Sequence, residues 1–366
     1  MAETAPPPAA WSDRAGPHHG AFASLARSLA CSAYVAARVG RSVALRAVYL
    51  AYAKTISRDF RRASPAEVLA LRGRIKALFE RDFRDAEEGL YPRELIASLP
   101  WGEYLAALPR LLADLPGTRA RIQDNRFDEL GPDAHARYPR YYARNFHFQT
   151  DGYLGDTSAR LYDLQVELLF GGAADVMRRR LIPPVVRFAR EAARAGQPLR
   201  VLDAACGTGR LLSMLGAALP GASFTGVDLS PHYLAHARAA LPRRLNLSLL
   251  VENAEALPFP DGRFDAVTCL YLLHECPKDV RARVLRELCR VVRPGGIVVL
   301  GDSLQLRDAP ELEDELRAFP NRVHEPYYLG YLQDDLAARV REAGLAVESD
   351  EAWFLTKVVT ARRAIG

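Results

Sequence analysis

Two aspartates and two glycines in the second half of the chain have a spacing that suits a nucleoside ligand. Leu199–Asp203 reads as a buried strand, and the turn Asp-Ala-Ala-Cys-Gly-Thr-Gly follows from Asp203. Gly207 and Gly209 let the backbone approach a ligand closely. A second strand ends in Asp228, 19 residues after Gly209, where a carboxylate accepts hydrogen bonds from a ribose diol. The third glycine of the dinucleotide-binding pattern is missing; Arg210, Leu211 and Leu212 follow instead.

The elements around this turn alternate. Strands are expected over Leu199–Asp203, Ala222–Asp228, Leu245–Val251, FDAVTCLYLL and GGIVVLGDSL. Helices follow the glycine turn, start at Ser230-Pro231, and fill VRARVLRELCRVV. Such alternation specifies a parallel sheet with helices on both faces, whose ligands bind at the carboxyl ends of the strands.

On these residues the chain resembles class I S-adenosylmethionine-dependent methyltransferases, in the branch of the ubiquinone/menaquinone-type enzymes. VLDAACGTGR, GVDLSPHYL and ENAEALPFPDGRFDAV look like that family's first three motifs, and RVVRPGGIVVL like the segment before its fifth strand. The resemblance is strong over about 199–302 and extends to the end through a helix, Leu332–Ala343, and two strands over Ala346–Arg362. It implies an α/β fold: a Rossmann-like, seven-stranded, mostly parallel sheet whose last strand is antiparallel. It also implies S-adenosyl-L-methionine as cofactor. Asp203 and the backbone of Ala205, Gly207 and Gly209 would hold the methionine moiety. Asp228 would take both ribose hydroxyls, with Leu229 beside the adenine. Asn253-Ala254 would face the adenine amine, where the family usually has Asp-Ala, and Leu270 would line the sulfonium end.

Methyl transfer asks for in-line alignment, and for a base when the acceptor loses a proton. His274, Glu275 and His324 are the candidate bases. His147, Gln149, Tyr153, Tyr162, Tyr327 and Tyr328 are candidates for the substrate walls, the first four from a segment read as a cover over the cofactor. The sequence after the fourth strand, CLYLLHE, lacks the Pro-Pro motif of enzymes that methylate nitrogens of nucleic acids and protein glutamines. Cys276-Pro277 sits several residues beyond the strand, which argues against a cysteine nucleophile. Both absences argue against a nucleic-acid substrate, and a small-molecule, lipophilic acceptor is the leading expectation. Two further readings stay open: a protein or RNA methyltransferase that binds through its basic half, and a cofactor-binding scaffold without turnover.

The chain has 366 residues with 49% hydrophobic and 25% charged positions, ordinary globular composition. Residues 1–198 carry 29 Lys+Arg against 22 Asp+Glu, whereas residues 199–366 carry 20 against 22. The five cysteines form no CxxC pair, which argues against a disulfide framework or a zinc site and for a reducing, cytoplasmic compartment. Four parts are expected: a disordered tail (1–20), a helical domain (21–145), a connecting and cofactor-covering segment (146–198) and the methyltransferase domain (199–366). In the helix over 21–62, Ser24, Arg27, Ser28, Arg38, Arg41 and Ser42 share one face. That pattern suits a helix docked on the protein, a helix on an anionic membrane surface, or a transit peptide. Ser64, Pro65 and Glu67 form a capping-box signature for the next helix. The sequence assigns no oligomeric state.

Overall fold

A computed structural model describes residues 17–56, 63–97, 101–149, 151–192 and 198–365. Seven strands form one sheet: β1 (Arg200–Ala204), β2 (Ser223–Asp228), β3 (Asn246–Val251), β4 (Phe264–Leu270), β5 (Val292–Ser303), β6 (Leu345–Trp353) and β7 (Thr356–Arg363). Their order is β3-β2-β1-β4-β5-β7-β6. The chain steps outward from β1 to β3, then returns to the other side of β1 with β4. The order therefore reverses between β1 and β4, and a crevice opens at their carboxyl ends. Register sets that end: Ala204 pairs with Val227 of β2 and with Cys269 of β4. The last strand, β7, runs antiparallel to both β5 and β6.

The central strands are apolar on both faces because helices cover both. Leu212, Leu215 and Val185 bury one face, and Val284, Leu285 and Leu288 the other. Truncating a side chain such as Leu288, fully buried, to Ala would cost roughly 2–5 kcal/mol.

The helices of the first half pack onto this unit. The first spans Pro17–Ile56, so it begins inside the stretch expected as tail; residues 1–16 lie outside the described residues. Its shared basic face is turned into the protein at Arg38, Arg41 and Ser42, whereas Ser24, Arg27 and Ser28 are exposed. Arg38 donates to the Ile96 carbonyl at 2.5 Å, and Arg41 to the Gly172 carbonyl and to Glu167. The same helix points Leu25, Leu29, Val43 and Val48 outward. The docked reading accounts for Arg38 and Arg41, because their guanidiniums are consumed by internal partners. No described helix is long and apolar enough to cross a membrane.

The second helix, Pro65–Glu87, carries the capping box: Ser64 Oγ accepts from the Glu67 N–H at 3.2 Å, and Glu67 accepts from the Ser64 N–H at 2.6 Å. Three consecutive arginines tie the connecting segment to the second helix and to itself. Arg178 pairs with Asp163 and Asp175, Arg179 with Asp82, and Arg180 with Asp85. All three are buried. A buried charge costs several kcal/mol of desolvation unless paired, so each arginine selects one docking geometry.

Candidate active site

The glycine turn after β1 takes left-handed backbone at Ala205 (φ +57°), Gly207 (+53°) and Gly209 (+76°). At Gly209 a side chain is also excluded by contact: a Cβ would stand 2.8 Å from Leu241 and 3.2 Å from Ala237. The turn thereby packs against the helix Pro231–Ala240 and leaves its backbone bordering a pocket.

Asp228, at the end of β2, accepts from the Gly207 N–H through Oδ2 and from the Ser230 N–H through Oδ1, each at 2.8 Å. These bonds fix the carboxylate at the pocket wall while each oxygen keeps acceptor capacity for a hydroxyl. Burial pushes its pKa up, against the pull of the backbone N–H groups. Asp203 is buried in the same wall, and its hydrogen-bond donor among the described residues is a neutral hydroxyl, that of Thr268, at 2.7 Å. Burial, with the charge on Asp228 adding to it, pushes Asp203 up to about 7. A carboxylate in this position demands a cation. The ammonium and sulfonium of S-adenosylmethionine supply one, so the residues present fit that group.

Other expected cofactor residues also line the pocket: Ala205, Leu229, Asn253, Ala254 and Leu270. Asn253 departs in one respect. Its Oδ1 accepts from the Glu255 N–H at 2.9 Å, closing a local turn, so part of the acceptor expected for an adenine amine is already used.

Tyrosines wall much of the pocket. Tyr153 and Tyr162 line it, joined by Tyr141, Tyr142, Tyr233 and Tyr271. Their rings meet edge to face, Tyr153 with Tyr233 at 5.7 Å and Tyr162 with Tyr233 at 5.6 Å. The Tyr153 hydroxyl donates to Glu275 Oε1 at 2.5 Å. Glu275 faces this pocket, and burial pushes it up to about 7 even though His274, His147 and Tyr153 favour its anion. A carboxyl poised near neutrality beside an acceptor suits general-base work.

Two of the three candidate bases are corrected by their positions. His274 is not in the pocket wall: it lies behind Glu275, buried, with Nδ1 2.6 Å from Asp302 Oδ1. Burial alone would lower its pKa, but Asp302 and Glu325 outweigh that and raise it to about 10, so it stands as an imidazolium without a lone pair. His324 stacks on Phe127 at 4.2 Å, outside the pocket, and burial with the Arg144 charge lowers it to about 4. The expected substrate walls Gln149, Tyr327 and Tyr328 are also off the pocket. Gln149 donates to Gln165 at 2.7 Å and accepts from Ser158, pinning the covering segment. Tyr328 packs with Leu304 and Leu312, and Tyr327 against the tyrosine cluster from outside. His147 reaches Glu325 at 3.1 Å and Glu275 at 3.9 Å. Cys276 borders the pocket, but burial pushes its thiol well up and leaves no thiolate nucleophile.

Sequence reasoning missed Arg178, Tyr233, Glu325 and Asp302. Tyr233 lies inside the GVDLSPHYL motif and was open to notice; the others carry no local signal.

Residues 201–296 match a family described as a methyltransferase domain. The reversed strand order and the Asp203–Asp228 wall agree with that description. The chain is 44% identical over 140 residues to a demethylmenaquinone methyltransferase of Thermus thermophilus, covering 38% of this chain and 59% of that protein. It is 36% identical over 168 residues to a ubiquinone/menaquinone biosynthesis C-methyltransferase of Methylobacterium nodulans (45% and 63% covered). To a 27-O-demethylrifamycin SV methyltransferase of Amycolatopsis mediterranei it is 34% identical over 161 residues (43% and 57%). The chain thus spans about three fifths of the length of these relatives.

Proposed function

We propose that the protein transfers a methyl group from S-adenosylmethionine to a small lipophilic acceptor held among the pocket tyrosines. The observation that carries this reading is Asp203, a buried carboxylate with no cation beside it among the described residues, sharing one wall with Asp228. When bound, the cofactor supplies an activated methyl on a sulfonium. The protein's own contribution is placement and proton handling. Asp203 neutralises the cationic end, Asp228 and the glycine turn hold the nucleoside end, and the tyrosine rings exclude water and offer flat apolar walls with polar edges.

Glu275 is the group placed to take a proton from the acceptor. It borders the pocket, its oxygen is already oriented by Tyr153, and it titrates near 7. The lipophilic character of the acceptor is supported by the tyrosine walls and by relatives named for menaquinone precursors and a rifamycin. Transfer of labelled methyl from S-adenosylmethionine into quinone-like and lipid extracts tests the reading. Label entering such a fraction supports it. Label entering only RNA or protein would overturn the acceptor class, and no label in any fraction would overturn the activity.

A further inference from the structure

Behind Glu275 lies a closed ring of four ionisable side chains drawn from three separate stretches of chain. His147 Nε2 stands 3.1 Å from Glu325 Oε1 and 3.9 Å from Glu275 Oε1. His274 Nε2 stands 3.9 Å from Glu275 Oε1 and 3.8 Å from Glu325 Oε2. Carboxylates thus occupy two opposite corners and imidazoles the other two. Asp302 backs His274 at 2.6 Å, and Tyr153 fronts Glu275 at 2.5 Å.

The charge count of this cluster has a functional meaning. With both imidazoles protonated, two positive charges face three carboxylates, so the buried group carries −1 while Glu275 is ionised. One proton on Glu275 brings it to zero. Both histidines are held toward the protonated form: burial opposes this, and Glu325 and Glu275 outweigh it at His147, with Asp302 added at His274. Among the described residues, the neighbouring tyrosines, Cys276 and His324 stay neutral at working pH, and Arg144 adds a charge felt at His324. Burial pushes Tyr153, Tyr162, Cys276, Tyr328 and Tyr331 up and His324 down. The ring therefore has room for one proton, and Glu275 is the corner that meets the pocket.

Exposure singles out an exit. The His147 side chain is 21% exposed, against 12% for Glu275, 7% for His274 and 4% for Glu325. Its place is rigid. His147 and Phe148 both adopt left-handed backbone (φ +53° and +55°), and the buried Asn145 braces the turn by donating to the Gln149 carbonyl at 3.0 Å and accepting from the Glu129 N–H at 2.8 Å. Non-glycine residues hold such angles at a cost, which marks the turn as over-determined by its surroundings.

We propose that the ring is a proton relay in which Glu275 takes the proton the acceptor loses and His147, held by Glu325, delivers it to solvent. This rests on the methyl-transfer reading above. In the step, the acceptor's bond to hydrogen breaks and its electron pair makes the new bond to the methyl carbon. The pair of the old carbon–sulfur bond stays with sulfur, and the proton goes to Glu275. His147 then gives a proton to water and takes the one from Glu275 in its place, returning the ring to −1. The 3.9 Å gap is too long for a hydrogen bond and is crossed by a side-chain rotation or one water. His147 and Glu325 are positioning residues in this scheme, since neither touches the pocket.

The test begins without cofactor. Nuclear magnetic resonance titration of histidine-labelled protein should give His147 a midpoint above that of free imidazole, and Glu325→Gln should lower it. In turnover, His147→Gln should reduce kcat by at least about 10-fold with KM unchanged, and added imidazole should restore part of the loss. An unmoved His147 midpoint in Glu325→Gln, or wild-type turnover by His147→Gln without imidazole, would overturn the relay. The methyl-transfer reading fails separately, through absence of S-adenosylhomocysteine binding by the unmodified protein.

Discussion

Tyr153 donates its hydroxyl hydrogen to Glu275 Oε1 at 2.5 Å, so a residue of the segment that precedes the sheet unit orients a carboxylate just beyond β4. The bond joins that segment to the pocket wall and favours the ionised form of Glu275.

Tyr153→Phe should therefore raise the Glu275 pKa. A lost hydrogen bond of about 1 kcal/mol corresponds to about 0.7 pH unit. Because the base works ionised, the acid limb of the kcat/KM profile should move to higher pH. A limb that stays in place or moves to lower pH would contradict the role given to this bond.

Asp203 predicts a pH dependence of cofactor affinity. Its pKa is raised to about 7 by burial, so it is neutral at pH 5–6 and anionic at pH 8, and only the anion compensates a cation. Affinity for S-adenosylmethionine should rise with pH, by up to about tenfold per unit below the midpoint. Asp203→Asn should flatten that rise. Equal slopes in both proteins, measured by calorimetry across pH 5.5–8.5, would remove Asp203 from the cation site.

Asp82 accepts from Arg179 Nε and Nη2, both at 2.7 Å, and from the hydroxyls of Tyr34 and Tyr91. Asp82→Ala leaves a buried guanidinium unpaired at the joint between the second helix and the Arg178–Arg180 stretch. Urea unfolding should show a loss of about 3–5 kcal/mol. A loss below about 1 kcal/mol would mean that the joint is held by its apolar contacts alone.

The fraction of this molecule legible in the sequence follows the range of the signals. The turn after β1, its two glycines and the aspartate ending β2 were readable because strand, turn and cap are local patterns. The Ser64 capping box was readable for the same reason. The helix expected over Leu332–Ala343 is in fact two pieces, Tyr328–Leu332 and Leu336–Glu342. Asp335 caps the second by accepting from the Ala338 N–H at 2.9 Å, and Gln305 takes the Leu336 N–H at 3.0 Å. That distant glutamine leaves no trace in the local period. His274 and Glu275 sit next to each other in a 3₁₀ turn, where successive side chains diverge by about 120°. Residue type alone could not say which one meets the pocket, and the acid does. The periodic face of the first helix was real, but one period serves docking and solvent exposure equally, and Arg38 and Arg41 proved to be docked. Asp302 and Glu325 owe their roles to tertiary neighbours more than 15 residues away, and Arg178 pairs with Asp163, 15 residues back.

The central claim is the nucleoside site built on Asp228. Calorimetric titration with S-adenosylhomocysteine should give micromolar binding to the unmodified protein. Asp228→Ala should weaken it at least about 100-fold, the loss of roughly 3 kcal/mol from two hydrogen bonds to a charged acceptor. Ligand at about 100 times its Kd should also stabilise the unmodified fold by about 2.7 kcal/mol, seen as a raised Tm. Absence of binding by the unmodified protein, or equal binding by the variant, would contradict the account.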